Sequence, residues 1–179
     1  MVKSDGRAVV AGLSDPQLNW RPGPGRWSVA ECLAHLNHSV SKVLPALDQA
    51  VDSGRSRGLL ASGPFRYGWF ARLMVASMEP PPRYRMRSPK IFRLAPADYS
   101  SASLLPQFLA VRDRLAERVR ASDGLDLKRV IVISPVSRFI RMPLGAYLGF
   151  LLAHERRHIW QARNVRGEGE AAAWRTADA

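Results

Sequence analysis

Residues 27–36 carry the sequence WSVAECLAHL, and this segment predicts the start of a long helix. Ser28 and Glu31 form a capping box. The Ser28 hydroxyl can accept from the backbone N–H of Glu31, while the Glu31 carboxylate reaches back to the N–H of Ser28. The helix is expected to run to about Asp52, and Pro45 inside it predicts a kink or a loosened turn.

Four other segments read as helices, and they define the expected architecture. They are residues 7–13, 65–78, 100–121 and 143–166. Gly167 and Gly169 are expected to end the last helix, and the β-branched residues 130–133 predict a short strand or a buried extended segment. We therefore expect an all-α antiparallel bundle over residues 1–167, followed by a frayed tail over 168–179.

Composition limits the function classes. The chain has 179 residues, of which 46% are hydrophobic and 23% charged, as in a single globular domain. The lone cysteine, Cys32, cannot form an internal disulfide, so a cytoplasmic location is expected. The longest apolar stretch, residues 144–153, is about half the length of a membrane span, so no membrane partner is expected.

The net charge of +12 raises the possibility of a nucleic-acid partner. Proteins that bind nucleic acid through charge usually carry clustered basic runs. Here the arginines are spread over the whole chain. A nucleic-acid partner is therefore not expected.

Four histidines on two predicted helices indicate a metal site. His154 and His158 are four residues apart, about 40° around a helix, so both can direct an imidazole at one point. On the first long helix, His35 lies about 120° from the centre of the apolar stripe and His38 about 180°. His35 is thus the expected third ligand, and His38 is expected to point towards solvent.

Three more polar residues of the last helix are candidates for chemistry. Glu155 falls in the apolar stripe, so it needs an arginine, a histidine N–H or a metal-bound water as partner. It is either structural, paired with a buried arginine or supporting a metal ligand, or a general base. Residues 154–158 match H-E-x-x-H, but the extension found in many zinc proteases does not follow. Tyr147 could donate a proton or belong to the core, and Gln161 could orient a ligand or bound water.

Two segments resemble the signatures of the DinB/YfiT-like superfamily. Residues 27–36 resemble W-S-x-x-E-x-x-x-H-L, and residues 153–162 contain H-x-x-x-H-x-x-Q. Residues 92–96, FRLAP, also resemble the family pattern. The resemblance covers about residues 13–166 and implies a DinB-like four-helix bundle with short extra helices and long connecting loops.

The resemblance also implies a function. It assigns a metal site to His35, His154 and His158, and a divalent ion such as zinc or nickel suits imidazole ligands. Members of the family are often homodimers, so a homodimer is expected. Characterised relatives include enzymes that use thiols such as bacillithiol or mycothiol, which implies a thiol-dependent S-transferase acting on a small-molecule substrate. Two alternatives stay open: a metal-dependent hydrolase with Glu155 as general base, and a non-catalytic protein in which the metal only ties two helices together.

Overall fold

The computed structural model describes residues 2–82 and 88–174, and these residues form a mainly helical protein. The elements in these ranges are α1 (Val2–Val10), α2 (Asp15–Asn19), α3 (Val29–Ser56), α4 (Trp69–Met78), a 3₁₀ turn (Lys90–Phe92), α5 (Ser101–Ala121), β1 (Ile131–Ile133), β2 (Arg141–Pro143) and α6 (Leu144–Ala171). The predicted all-α class is confirmed.

The capping box at the start of α3 is confirmed. The N–H of Glu31 donates to Ser28 Oγ at 3.1 Å, and the N–H of Ser28 donates to Glu31 Oε2 at 2.9 Å. The helix continues to Ser56, beyond the predicted end at Asp52, with Pro45 inside it. A proline removes one backbone hydrogen bond, and burial of apolar side chains such as Leu47 on the same helix offsets that loss.

Two apolar cores fill the bundle. The first core joins the beginnings of α3 and α5 to the end of α6, with α1 packed on it. The second core joins the rest of α3 and α5 to the beginning of α6, with the two strands and α4 beside it. The three long helices therefore contribute to both cores.

Buried polar side chains separate these cores. We call His35, Asn37, Ser39, Arg112 and Glu155 the polar layer, since all five are buried. On α5, Arg112 lies between Phe108 of the first core and Leu115 of the second. On α6, Glu155 lies between Leu151 of the second core and Ile159 of the first.

The predicted strand is confirmed as β1, and it pairs with a partner that the sequence analysis did not identify. β1 and β2 are antiparallel, with Val132 opposite Met142. Both of these side chains are buried in the second core. The pair places the start of α6 against α3, because β2 leads directly into α6.

The predicted end of the last helix is wrong. α6 passes through Gly167 and Gly169 and ends at Ala171, so the first part of the expected tail is helical. The Trp174 ring lies directly against Gly169 and makes an edge contact with the Trp20 ring, with centroids 5.5 Å apart. This packing holds the last turn in place. Residues 175–179 of the expected tail lie outside the described residues.

Two other helix boundaries differ from prediction. α1 spans Val2–Val10 instead of 7–13. It ends before Leu13 because Gly12 adopts a φ of 75° that turns the chain away from the helix. α4 begins at Trp69 instead of residue 65. Within the described ranges, no helix has the length and apolarity needed to cross a bilayer.

Candidate metal centre

Three histidines from two helices converge on one point. His35 of α3 and His154 and His158 of α6 each offer a ring nitrogen, and these atoms all lie within 4.8 Å of one another. Nε2 of His35 is 3.3 Å from Nε2 of His154. The ring centroid of His158 lies 4.6 Å from those of both other rings. The structure thus brings together the three histidines that the sequence analysis selected.

Hydrogen bonds on the far side of two rings fix their protonation. Nδ1 of His35 lies 3.1 Å from the carbonyl oxygen of Phe92. A carbonyl only accepts, so Nδ1 carries the proton and Nε2 keeps its lone pair facing His154. Nδ1 of His158 lies 3.0 Å from Oε1 of Gln161, which leaves Nε2 of His158 unprotonated in the same way. Metal-binding histidines are typically oriented by such bonds.

Burial keeps the three rings neutral. Loss of hydration lowers the pKa of His35 to about 4 and that of His154 to about 3. It also brings the pKa of His158 well below its usual range, with neighbouring His154 and His35 adding to the effect.

The donor set fits a divalent metal ion. The unprotonated Nε2 of His35 lies 3.3 Å from Nε2 of His154, and a ring nitrogen of His158 completes a set of three that can face one cation. Three neutral imidazoles that still leave positions open are typical ligands for zinc, and nickel also suits imidazole. The hydroxyl of Ser39 lies 3.3 Å from His35 Nε2 and adds a polar group on the α3 side of the cluster.

Trp27 covers one side of the cluster. Its indole stacks on His158, with centroids 5.4 Å apart and an interplanar angle of 23°, and lies 4.9 Å from the His35 ring. A cavity of about 140 Å³ adjoins Trp27 and His35, and Arg21, Arg26, Leu94 and Pro96 are among its other lining residues. A small molecule in this cavity would contact His35.

Glu155 is paired with an arginine, in agreement with one of its two sequence interpretations. Its Oε1 lies 2.9 Å from Nε of Arg112, and both side chains are buried. Nη1 of Arg112 donates to Asn37 Oδ1 at 2.6 Å, and the guanidinium lies 3.9 Å from the centroid of the Phe108 ring. Burial raises the pKa of Glu155 and lowers that of Arg112 to about 10. The carboxylate is thereby directed at α5.

The other candidate residues lie in different surroundings. Gln161 contacts the cluster through His158. Tyr147 is buried in the second core, about two turns before His154, and burial raises the pKa of its hydroxyl, which bonds Ser134. His38, which was expected to point to solvent, has its Nε2 2.9 Å from the carbonyl oxygen of Ile91.

Several contributors to the site were missed from the sequence. Ser39 follows His35 by four residues, a spacing that places it on the same helix face and could have identified it. The carbonyl of Phe92 has no side-chain signal, so only the folded chain reveals it. Arg156 of α6 pairs with Glu79, which directly follows α4, and this pair anchors α4 to α6.

Comparison with known proteins agrees with this geometry. The family model of the DinB superfamily matches residues 3–162, a range that includes all three histidines. The uncharacterized protein YuaE of Bacillus subtilis (strain 168) is 26% identical over 165 residues, which cover 91% of each chain. No solved structure gives a significant match. The chain belongs to the DinB superfamily.

Proposed function

We propose that the protein is a divalent-metal-dependent enzyme of the thiol S-transferase type, with His35, His154 and His158 as metal ligands. The observation that carries the proposal is the convergence of three neutral imidazoles beside a cavity that reaches His35. When bound, zinc or nickel would supply a positive charge that lowers the pKa of a thiol reaching it, so that the sulfur attacks as a thiolate.

The chain's own residues would hold and orient the reactants. Phe92 and Gln161 keep Nδ1 of two ligands protonated and their Nε2 atoms available. Trp27 shields the cluster from water on one side. Arg21 and Arg26 line the adjoining cavity, where the carboxylates of a small thiol co-substrate would exchange with Glu31, Asp98 and Glu168, the present partners of these guanidinium groups.

The contacts of Glu155 favour thiol chemistry over hydrolysis. A hydrolase of the H-E-x-x-H type needs this carboxylate as a base beside the metal. Here it is buried and paired with Arg112 of α5. An activity that survives when Arg112 and Glu155 are both replaced would support the transferase. An activity that is lost when Glu155 is replaced but kept when Arg112 is replaced would support the hydrolase.

Metal analysis of the purified, untagged protein tests the proposal first. We expect about one equivalent of zinc or nickel per chain, lost in His154→Ala. Absence of metal, with no binding after zinc or nickel is added, would overturn both enzymatic hypotheses. Metal binding without turnover of any thiol or ester substrate would support the structural role of the metal instead.

A homodimer in the cytoplasm is part of the same proposal. The reducing cytoplasm keeps small thiols available, and α4 presents an apolar face that includes Trp69 at 76% and Leu73 at 55% exposure. A second copy of the chain would cover that face. Sedimentation should give a dimer for the wild type and a monomer for Leu73→Glu, whereas a monomeric wild type would contradict the assembly.

A further inference from the structure

Two histidines of α3 bind neighbouring carbonyls of the 3₁₀ turn. Nε2 of His38 lies 2.9 Å from the Ile91 oxygen, and Nδ1 of His35 lies 3.1 Å from the Phe92 oxygen. The histidines are three residues apart, about one helical turn, which matches two successive carbonyls on the crossing segment. Since a carbonyl oxygen only accepts, each ring donates a hydrogen bond from its N–H to the turn.

Among the residues that the structure describes, few other attachments hold this turn in place. None of residues 90–92 is buried, and Ile91 is exposed. The bonds from Phe92 N–H to Pro89 and from Arg93 N–H to Lys90 are internal to this segment. Phe92 packs part of its ring on the second core. The bond from His38 is therefore a major fixed point between the turn and α3.

The position of this turn affects the metal centre in two ways. The Phe92 carbonyl sets the proton of His35 on Nδ1, so it decides whether Nε2 faces His154 with a free lone pair. Leu94 and Pro96, which follow directly, line the cavity beside the cluster. A shift of the turn would change both the orientation of one ligand and the shape of the cavity.

We propose that His38 is a positioning residue: its bond to the Ile91 carbonyl fixes the turn, and the turn in turn orients His35 and the cavity wall. His38 itself is not a ligand, because its Nε2 is directed at Ile91 and it is absent from the cluster of converging nitrogens. The inference rests on the proposed metal site for its functional meaning, but the contact between turn and ligand exists without metal.

The test compares two amide replacements that differ only in reach. In His38→Gln the amide nitrogen occupies about the place of Nε2 and can still donate to Ile91, whereas in His38→Asn it is too short. We expect His38→Asn to weaken zinc affinity about tenfold or more and to change the visible spectrum of the cobalt-substituted protein. His38→Gln should restore most of both. Lys42→Ala, an exposed change one turn further along α3, serves as control.

A second measurement on the metal-free protein separates this inference from the metal proposal. Imidazole ¹⁵N shifts should report His35 protonated at Nδ1 in the wild type and in His38→Gln, and a mixture of tautomers in His38→Asn. If His38→Asn leaves the His35 tautomer unchanged, the inference is overturned whether or not the protein binds metal. If the tautomer changes but the wild type takes up no metal, only the proposed function fails.

Discussion

Nε of Arg112 lies 2.9 Å from Oε1 of Glu155, with Arg112 4% and Glu155 1% exposed, so two opposite charges face each other inside the bundle. Burial raises the pKa of Glu155 and lowers that of Arg112 to about 10, since the loss of hydration outweighs the mutual attraction. The pair links α5 to α6, and the bond from Arg112 to Asn37 extends the link to α3.

Breaking this ion pair on one side should cost more than removing it entirely. Glu155→Gln or Arg112→Met leaves one buried charge without its partner, and each should lower the free energy of unfolding by about 3–5 kcal/mol. The double variant Arg112→Met/Glu155→Leu should be clearly more stable than either single variant, as measured by urea denaturation. As a control, Glu170→Gln removes an exposed pair with Arg166 and should cost about 0.5 kcal/mol or less. A loss below about 1 kcal/mol in both single variants would contradict a tight pair.

Removing metal should destabilise the protein. A metal ion at the cluster would join α3 to α6, and a ligand present at 100 times its dissociation constant adds about 2.7 kcal/mol to the free energy of unfolding. A chelator should therefore lower the melting temperature of the wild type by several degrees, as measured by calorimetry. His158→Ala should show no response to the chelator. An equal response in both proteins would place the metal elsewhere.

Acid should begin to destabilise the metal-free protein at a higher pH than protonation of carboxylates alone would. The folded protein keeps His35 and His154 neutral down to pKa values of about 4 and 3, whereas unfolded histidines take up protons near pH 6.5. The unfolded state therefore binds more protons in this window, so stability falls as the pH drops from about 6.5 towards 4. Each such histidine contributes about 1.4 kcal/mol per pH unit.

Urea denaturation at several pH values measures this slope. The double variant His35→Gln/His154→Gln should show a flatter dependence between about pH 6.5 and 4, since two of the responsible rings are gone. An equally steep slope in that variant would mean that other groups carry the acid sensitivity.

Two glycines of α6 should respond oppositely to the same substitution. Gly167 has open space around it, so Gly167→Ala should stabilise the helix by up to about 1 kcal/mol. A Cβ at Gly169 would overlap the Trp174 ring, so Gly169→Ala should displace that ring and lower the melting temperature. Thermal denaturation compares the two. Stabilisation of both variants would show that Trp174 does not pack as described.

Local signals predicted much of the fold and the cluster. The Ser28 box located the start of α3, and helical spacing on α3 and α6 selected His35, His154 and His158. These signals work because capping and side-chain direction depend on neighbours within one or two turns.

Features that depend on distant segments could not be predicted in this way. The helical angle of His38 depends only on its own helix, whereas its contact with the turn at Lys90–Phe92 depends on a segment 53 positions away. The continuation of α6 past Gly167 depends on the packing of Trp174 against Gly169 and Trp20. The partner of Glu155 lies 43 positions away, on a helix whose other buried residues are mostly apolar.

The polar layer also limits how the long helices can slide along one another. Moving α5 by one turn, about 5.4 Å, would bring Phe108 or Leu115 opposite Glu155 and would insert the Arg112 charge into an apolar core. The charged pair thereby selects a single axial alignment of α5 and α6, and the bond from Arg112 to Asn37 ties α3 to that alignment, at the height at which His35 meets His154 and His158.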